Sequence, residues 1–308
     1  MNVLNLVSNA DARFYKEQTK ALERHGVDCA TATPPGDHLA REDVTERSPG
    51  DYVRFVPKVI RESTNGYDLV HANYGLTAPM ALAQIRLPVV VSLWGTDLMG
   101  EYGWLSKACA KAADAVIVMS EEMARELGDS CYVIPHGIDM EKFAPRPKAE
   151  ACERVGWDEE ARHVLFPYPP SQGVKNHPRA ERVVESASER LDEDVRLQTV
   201  YGVAHDEMPM YMNAADALLL TSEREGSPNS VKEAMSCNLP VVATDVGDVR
   251  ERLDGVSPSR VGQSDAELVD GLGNVLAEPR RSDGREAVRD ISLDRMGERI
   301  RGVYETVA

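Results

Sequence analysis

Lysine is scarce in this chain of 308 residues. There are nine lysines beside 26 arginines, and these cations face 51 acids, a formal net charge of −16. That excess of acid excludes broad binding to a phosphate backbone or to anionic lipid, because both repel a strongly negative surface. Cysteine is also sparse. Cys29, Cys109, Cys131, Cys152 and Cys237 are odd in number and include no Cys-x-x-Cys pair, which argues against a disulfide framework and a zinc site alike. The seven histidines lack His-Glu-x-x-His spacing, so no metal is expected. Long apolar runs are missing: none reaches the roughly 18 residues that span a bilayer. The opening Met1-Asn2-Val3-Leu4-Asn5-Leu6-Val7 has no basic start and is too short for a signal peptide. No Gly-x-Gly-x-x-Gly follows it, which disfavours a nicotinamide-dependent enzyme. The expectation is a cytoplasmic protein with no nucleic-acid partner and no transmembrane segment.

What is present is an ordinary globular composition, 42% apolar and 28% charged, in a chain long enough for a large core. Short apolar runs at residues 2–7, 69–72, 89–93, 115–119, 131–134, 164–166, 217–220 and 240–243 read as strands buried on both faces. Amphipathic stretches at 14–24, 106–113, 121–127, 179–191 and 230–236 read as helices between them. That alternation predicts an α/β fold of two doubly wound parallel-sheet domains, with the cleft between them as the site. The proline-rich stretch 135–147 marks the boundary, giving domains 1–147 and 148–308. The charged segment 37–50, poor in apolar residues, reads as a mobile loop, with a helix as the alternative.

The densest chemical signal is Thr221-Ser222-Glu223-Arg224-Glu225-Gly226-Ser227-Pro228-Asn229-Ser230-Val231-Lys232-Glu233. It follows an apolar strand and opens a helix through a turn of small residues. The free N–H groups of a first helical turn, with the helix dipole, suit a phosphate. Glu225 precedes the turn, and Glu233 lies about one helical turn inside, placed to bond sugar hydroxyls.

Glu225 and Glu233 enclose seven residues, and this E-x7-E spacing resembles the retaining family 4 glycosyltransferases of the GT-B fold (glycosyl transferases group 1). Glu233-Ala234-Met235-Ser236-Cys237-Asn238-Leu239-Pro240-Val241-Val242 is similar to the family's "EAMACGLPVV". Pro135-His136-Gly137-Ile138-Asp139 with Phe143 and Pro145 resembles its "PNGVD…F.P" hinge. The resemblance covers the second half of the chain and is weaker in the first. It implies two Rossmann-like domains, the first on the acceptor side and the second binding a nucleotide sugar. The last helix, about residues 292–308, is expected to cross back to the first domain. The implied activity is retaining, metal-independent transfer of a hexose from a UDP- or GDP-sugar, with no cofactor. The implied acceptor is a sugar, a lipid-linked or a small-molecule hydroxyl, which leaves room for peripheral contact with the inner face of a membrane. Glu225 takes the catalytic position, and the backbone of Gly226 and Ser227 holds the sugar. Asn229, Ser230 and Val231 hold the diphosphate, and Glu233 the ribose. Lys175 takes the family's lysine position and acts on the leaving group. The arginine of the same pattern is absent, replaced by Tyr168-Pro169-Pro170. Either Lys175 works alone with the helix dipole, or Arg179 or another arginine folds back. A sugar-nucleotide epimerase and a non-catalytic sugar-nucleotide binder are the rival readings.

The first domain departs further from the family. Trp94 stands where "vvtvHGtD" has its histidine, and Asp97 follows. Asp68-Leu69-Val70-His71-Ala72-Asn73 resembles "DvVHaH", with His71 either a cleft residue or a hydrogen-bonded core histidine. The glycine loop after the first strand is replaced by Ser8-Asn9-Ala10-Asp11-Ala12-Arg13. The acceptor or cleft candidates are therefore Trp94, Asp97, His71, Asn9 and His136.

Overall fold

A computed structural model describes residues 1–36, 48–128, 130–191, 193–278 and 280–308. The chain forms two compact units, one of Met1–Gly137 with Leu293–Ala308, the other of Ile138–Ser292. The stretch 138–147, which the sequence reading put at the end of the first domain, belongs to the second unit. Residues 37–47 of the segment read as a loop lie outside the described residues; Ser48 then opens the helix Pro49–Glu62 through a capping box with Asp51.

The first unit holds a six-stranded parallel sheet. Its strands are β1 (Asn2–Leu6), β2 (Asp28–Ala32), β3 (Leu69–Ala72), β4 (Val89–Ser92), β5 (Ala115–Val118) and β6 (Tyr132–Val133), in the order β2-β1-β3-β4-β5-β6. Every residue of β3, β4 and β5 is buried, as helix-covered parallel strands require. β2 and β3 flank β1 on opposite sides, so the winding reverses between β1 and β3. Ligands of such sheets gather at the carboxyl ends of the strands beside the reversal.

The helix Leu293–Val307 completes this unit by packing on the helix Arg13–Arg24. Gly297 permits the close approach: a Cβ there would lie 2.9 Å from the Ala21 carbonyl. Deeper in, the Tyr304 hydroxyl meets His71 Nδ1 at 2.6 Å, and Ser92 Oγ meets Nε2 at 2.8 Å. Burial pushes this fully enclosed imidazole down to about 3, so it stays neutral.

The second unit holds a five-stranded parallel sheet of β7 (Arg162–Phe166), β8 (Val195–Thr199), β9 (Ala217–Leu220), β10 (Val241–Thr244) and β11 (Arg260–Gly262), in the order β11-β10-β9-β7-β8. Here the winding reverses between β7 and β9. The loops leaving those two strands carry Tyr168, Lys175 and Glu225. The ends of this unit meet: Ile138 N–H donates to the Ile291 carbonyl at 2.9 Å, and Ile138 bridges Ser292.

Candidate active site

The second unit brings its candidate residues together by tying two loops. The fully buried strand β9 is followed by Thr221, whose hydroxyl donates to the carbonyls of Lys175 (2.9 Å) and Asn176 (3.0 Å). Glu223 N–H adds a bond to the Val174 carbonyl at 2.9 Å. Asn176 turns the chain with a positive φ of 53°, a conformation asparagine tolerates better than most residues. The loop after β7 is thereby fixed to the loop after β9.

The result is a compact polar cluster. Lys175 Nζ lies 2.5 Å from Glu225 Oε1, and Ser222 Oγ donates to the same oxygen at 2.7 Å. Both members of the ion pair are largely buried, with side chains 10% and 14% exposed. Lys175 Nζ also sits 3.9 Å from the centroid of the Tyr168 ring. The Tyr168 hydroxyl is 2.5 Å from Ser230 Oγ, in the first turn of the helix Asn229–Ser236. Burial, and then the nearby Glu225 carboxylate, push the Tyr168 phenol well above its usual range, so it stays protonated. Arg179 does not fold back: it holds Asp265 at 2.6 Å and the Gln263 carbonyl at 2.7 Å.

Two further contacts shape the cluster's rim. Glu233, on the same helix, accepts from His205 Nε2 at 2.9 Å, while His205 Nδ1 faces Lys142 Nζ at 2.9 Å. A lysine ammonium can only donate, so Nδ1 accepts and Nε2–H points at Glu233. On the other side, Ser227 Oγ donates to Asp248 Oδ2 at 2.7 Å, and Arg252 Nε donates to that oxygen at 2.9 Å. Gly247, at φ +57°, lies so close to the sugar-loop candidate Gly226 that a Cβ would come 2.4 Å from its carbonyl oxygen. Lys232 is also buried here; burial pulls its ammonium down to about 8 against the opposing pull of Asp248.

Tyr168, Ser222, His205, Lys142 and Asp248 were not singled out from sequence as site residues. Tyr168 carried a signal, since it stands in the place of the family's arginine. His205 lies 28 positions before Glu233, and neither spacing nor pattern connects them.

In the first unit Trp94 touches both His136 and Asp97, while His71 lies in the core and Asn9 in the turn after β1. The Trp94 ring packs on Phe14 (centroids 4.3 Å) and on His136 (5.7 Å), and its Nε1–H donates to the Asn73 carbonyl at 2.9 Å. His136 Nε2 lies 3.2 Å from the Phe14 carbonyl. Asp97 is buried and accepts from the backbone N–H groups of Gly75 (2.8 Å), Trp94 (2.8 Å) and Gly95 (3.0 Å). Burial raises its carboxyl, and these bonds pull against the rise. Asp97 thus ties the loops after β3 and β4, and His71 is closed inside the core, so neither presents its polar atoms outward. Asn9 accepts from Asp11 N–H at 2.9 Å in a turn after β1 and stays half-exposed. Among the described residues no group of three His, Cys, Asp or Glu side chains converges as a metal site would require.

Two Rossmann-like parallel sheets, one with this acid–lysine cluster at its carboxyl edge, place the chain in the GT-B class. Solved structures of that class superpose on the full length. Sucrose-phosphate synthase from Thermosynechococcus elongatus matches with a TM-score of 0.78 at 18% identity, over 99% of this chain and 98% of that one. Anabaena Alr3699/HepE, solved in complex with UDP and glucose, matches at 0.73 and 16%, over 99% and 100%. At these identities the likeness is one of fold. The chain belongs to the family 4 glycosyltransferases: the model described as Glycosyltransferase Family 4 matches residues 12–142, and that described as Glycosyl transferases group 1 matches 173–278. A D-inositol 3-phosphate glycosyltransferase from Xylanimonas cellulosilytica is 26% identical over 317 residues, covering 82% of this chain and 73% of that protein. A putative teichuronic acid biosynthesis glycosyltransferase, TuaC, from Bacillus subtilis is 27% identical over 212 residues, 59% of this chain and about half (54%) of its own length.

Proposed function

We propose that the protein transfers a hexose from a UDP- or GDP-sugar to an acceptor hydroxyl, with retention of anomeric configuration and without a metal. The observation that carries this reading is the Lys175–Glu225 pair, set beside the first turn of the helix Asn229–Ser236. Breaking the glycosidic bond of a nucleotide sugar leaves negative charge on a diphosphate. Preorganised donors and a cation stabilise that charge most strongly where water is scarce. Lys175 supplies the cation, and the backbone N–H groups of Asn229, Ser230 and Val231 supply fixed donors. Glu225 sits where the transferred sugar meets the pair, Gly226 and Ser227 hold that sugar through their backbone, and Glu233 takes the ribose hydroxyls.

The acceptor side is assigned to the first unit. Asn9 and the margin of the Phe14–Trp94–His136 cluster are the groups with polar or ring surface to offer. A sugar, lipid-linked or small-molecule acceptor fits this assignment. Among the described residues no helix is long and apolar enough to cross a membrane. A lipid-linked acceptor would be met at the inner face of a membrane from the cytoplasm. A Mycolicibacterium smegmatis relative, 28% identical over 353 residues and 96% of this chain, is a GDP-mannose-dependent phosphatidylinositol monomannoside mannosyltransferase.

The test is a screen of UDP- and GDP-hexoses with candidate acceptors, read by nucleoside diphosphate release and by NMR of the product anomer. Release from one donor class, with the donor's anomeric configuration kept, is the expected result. Inversion would overturn the stereochemical part, and conversion of the donor sugar without an acceptor would turn the reading toward an epimerase.

A further inference from the structure

The loop after β7 carries one cation into the cluster where the family pattern carries two. Arg179 is committed to Asp265 and Gln263. Tyr168 occupies the arginine's place, and its two contacts are of different kinds. Its ring face lies 3.9 Å from Lys175 Nζ, within cation–π range, on an ammonium also held by Glu225 at 2.5 Å. Its hydroxyl lies 2.5 Å from Ser230 Oγ. Two paired hydroxyls carry two protons and use one between them. Whichever donates, one O–H proton of the pair is left to give.

We propose that Tyr168 is a ligand of the donor's diphosphate: with Ser230 it presents a neutral O–H donor in the place of the missing guanidinium, while its ring holds Lys175 toward the leaving group. This deepens the nucleotide-sugar reading and rests on it. The phenol is suited to the task because its surroundings keep it protonated. A neutral donor also avoids crowding a second cation against Lys175, and it leaves Glu225 with one cationic partner.

The test is calorimetric binding of UDP, GDP, uridine and guanosine to wild-type protein, Tyr168→Phe and Tyr168→Leu, with thermal unfolding as a check on folding. Tyr168→Phe keeps the ring and loses the hydroxyl. It is expected to weaken the bound nucleoside diphosphate about tenfold, the effect of losing one hydrogen bond to a charged group, and to leave the matching nucleoside within about twofold. Tyr168→Leu also loses the ring, and its turnover should fall several-fold below that of Tyr168→Phe. Diphosphate affinity unchanged in Tyr168→Phe, or nucleoside affinity falling equally, overturns the proposal while the functional reading stands. Wild-type protein that binds neither UDP nor GDP overturns both.

Discussion

Lys175 Nζ and Glu225 Oε1 lie 2.5 Å apart, although fifty positions separate the two residues in the chain. In the proposed reaction the lysine faces growing charge on the leaving group and the carboxylate lies beside the transferred sugar. Lys175→Ala is expected to lower turnover by about 10²–10³, the usual effect of losing one preorganised charge stabiliser. Glu225→Gln keeps the shape and removes the charge, and should lower kcat more than it raises the donor KM. The double variant should lose little beyond the worse single one, because residues that act as a unit are non-additive. Full turnover in either single variant would remove the pair from the mechanism.

Gly247 packs closely on Gly226, in the loop proposed to hold the sugar. Gly247→Ala puts a Cβ 2.4 Å from the Gly226 carbonyl oxygen and imposes a positive φ on alanine. The expected cost is about 1–3 kcal/mol of stability. Since the backbone of Gly226 and Ser227 is assigned to the sugar, affinity for the nucleotide sugar should drop further than affinity for the free nucleoside diphosphate. Denaturant titration and calorimetry read the two effects separately.

Glu233 is oriented through His205, which Lys142 holds in one tautomer. His205→Phe removes that hydrogen bond without touching the first turn of the helix, where the diphosphate is proposed to bind. The donor KM should rise by about three- to tenfold, the worth of one hydrogen bond, with kcat nearly unchanged. A fall in kcat alone would argue that His205 acts on the reacting atoms.

The neutral, enclosed His71 makes the first unit sensitive to acid. Its folded value is about 3 and its unfolded value about 6.5, so between those values the unfolded chain binds a proton that the fold refuses. The stability is fully present above pH 6.5 and is lost as the pH falls toward 3. At pH 5 the loss from this group is about 2 kcal/mol. Urea titrations of wild type and His71→Gln between pH 5 and 7.5 check this: the variant should show the shallower pH slope.

Gly297 lets the last helix lie on the helix Arg13–Arg24. Even Gly297→Ala forces a shift against the Ala21 backbone, with an expected cost of about 1–3 kcal/mol. Thermal unfolding should show the loss, while nucleotide binding by the second unit should persist.

The strands legible in the sequence are the interior ones and the short edge strand β6. β3 and β9 have the bounds that their apolar runs predict, because a strand covered on both faces must be apolar throughout. β2, β8 and β11 escaped detection, and all three are sheet edges. Asp28-Cys29-Ala30-Thr31-Ala32 is largely exposed or half-exposed, so neither a run nor an alternation marks it. Glu225, Glu233 and Lys175 were legible because their order survives in local motifs. Their surroundings were not. The Lys142–His205–Glu233 chain and the clasp of Ser227 by Asp248 join loops distant in sequence, and only the course of the sheet brings them together. For His71 and Asp97 the motifs leave a cleft role and a structural one open, and their burial and their contacts with Tyr304 and Ser92, and with the N–H groups of Gly75, Trp94 and Gly95, come from the fold.

The helix Leu293–Val307 has a consequence for how the protein is made. The first unit is interrupted by the whole of Ile138–Ser292, a body whose two ends meet and which closes on itself. At about 5–20 residues per second, a ribosome takes roughly 8–30 s to cross those 155 residues. Throughout that interval the nascent first unit lacks Tyr304, and the apolar flank around Ala21 and Leu22 stays bare. The second unit can reach its final form first, and the first must wait for Leu293–Ala308 to emerge. That inverts the usual N-terminal-first order in which units are completed during synthesis.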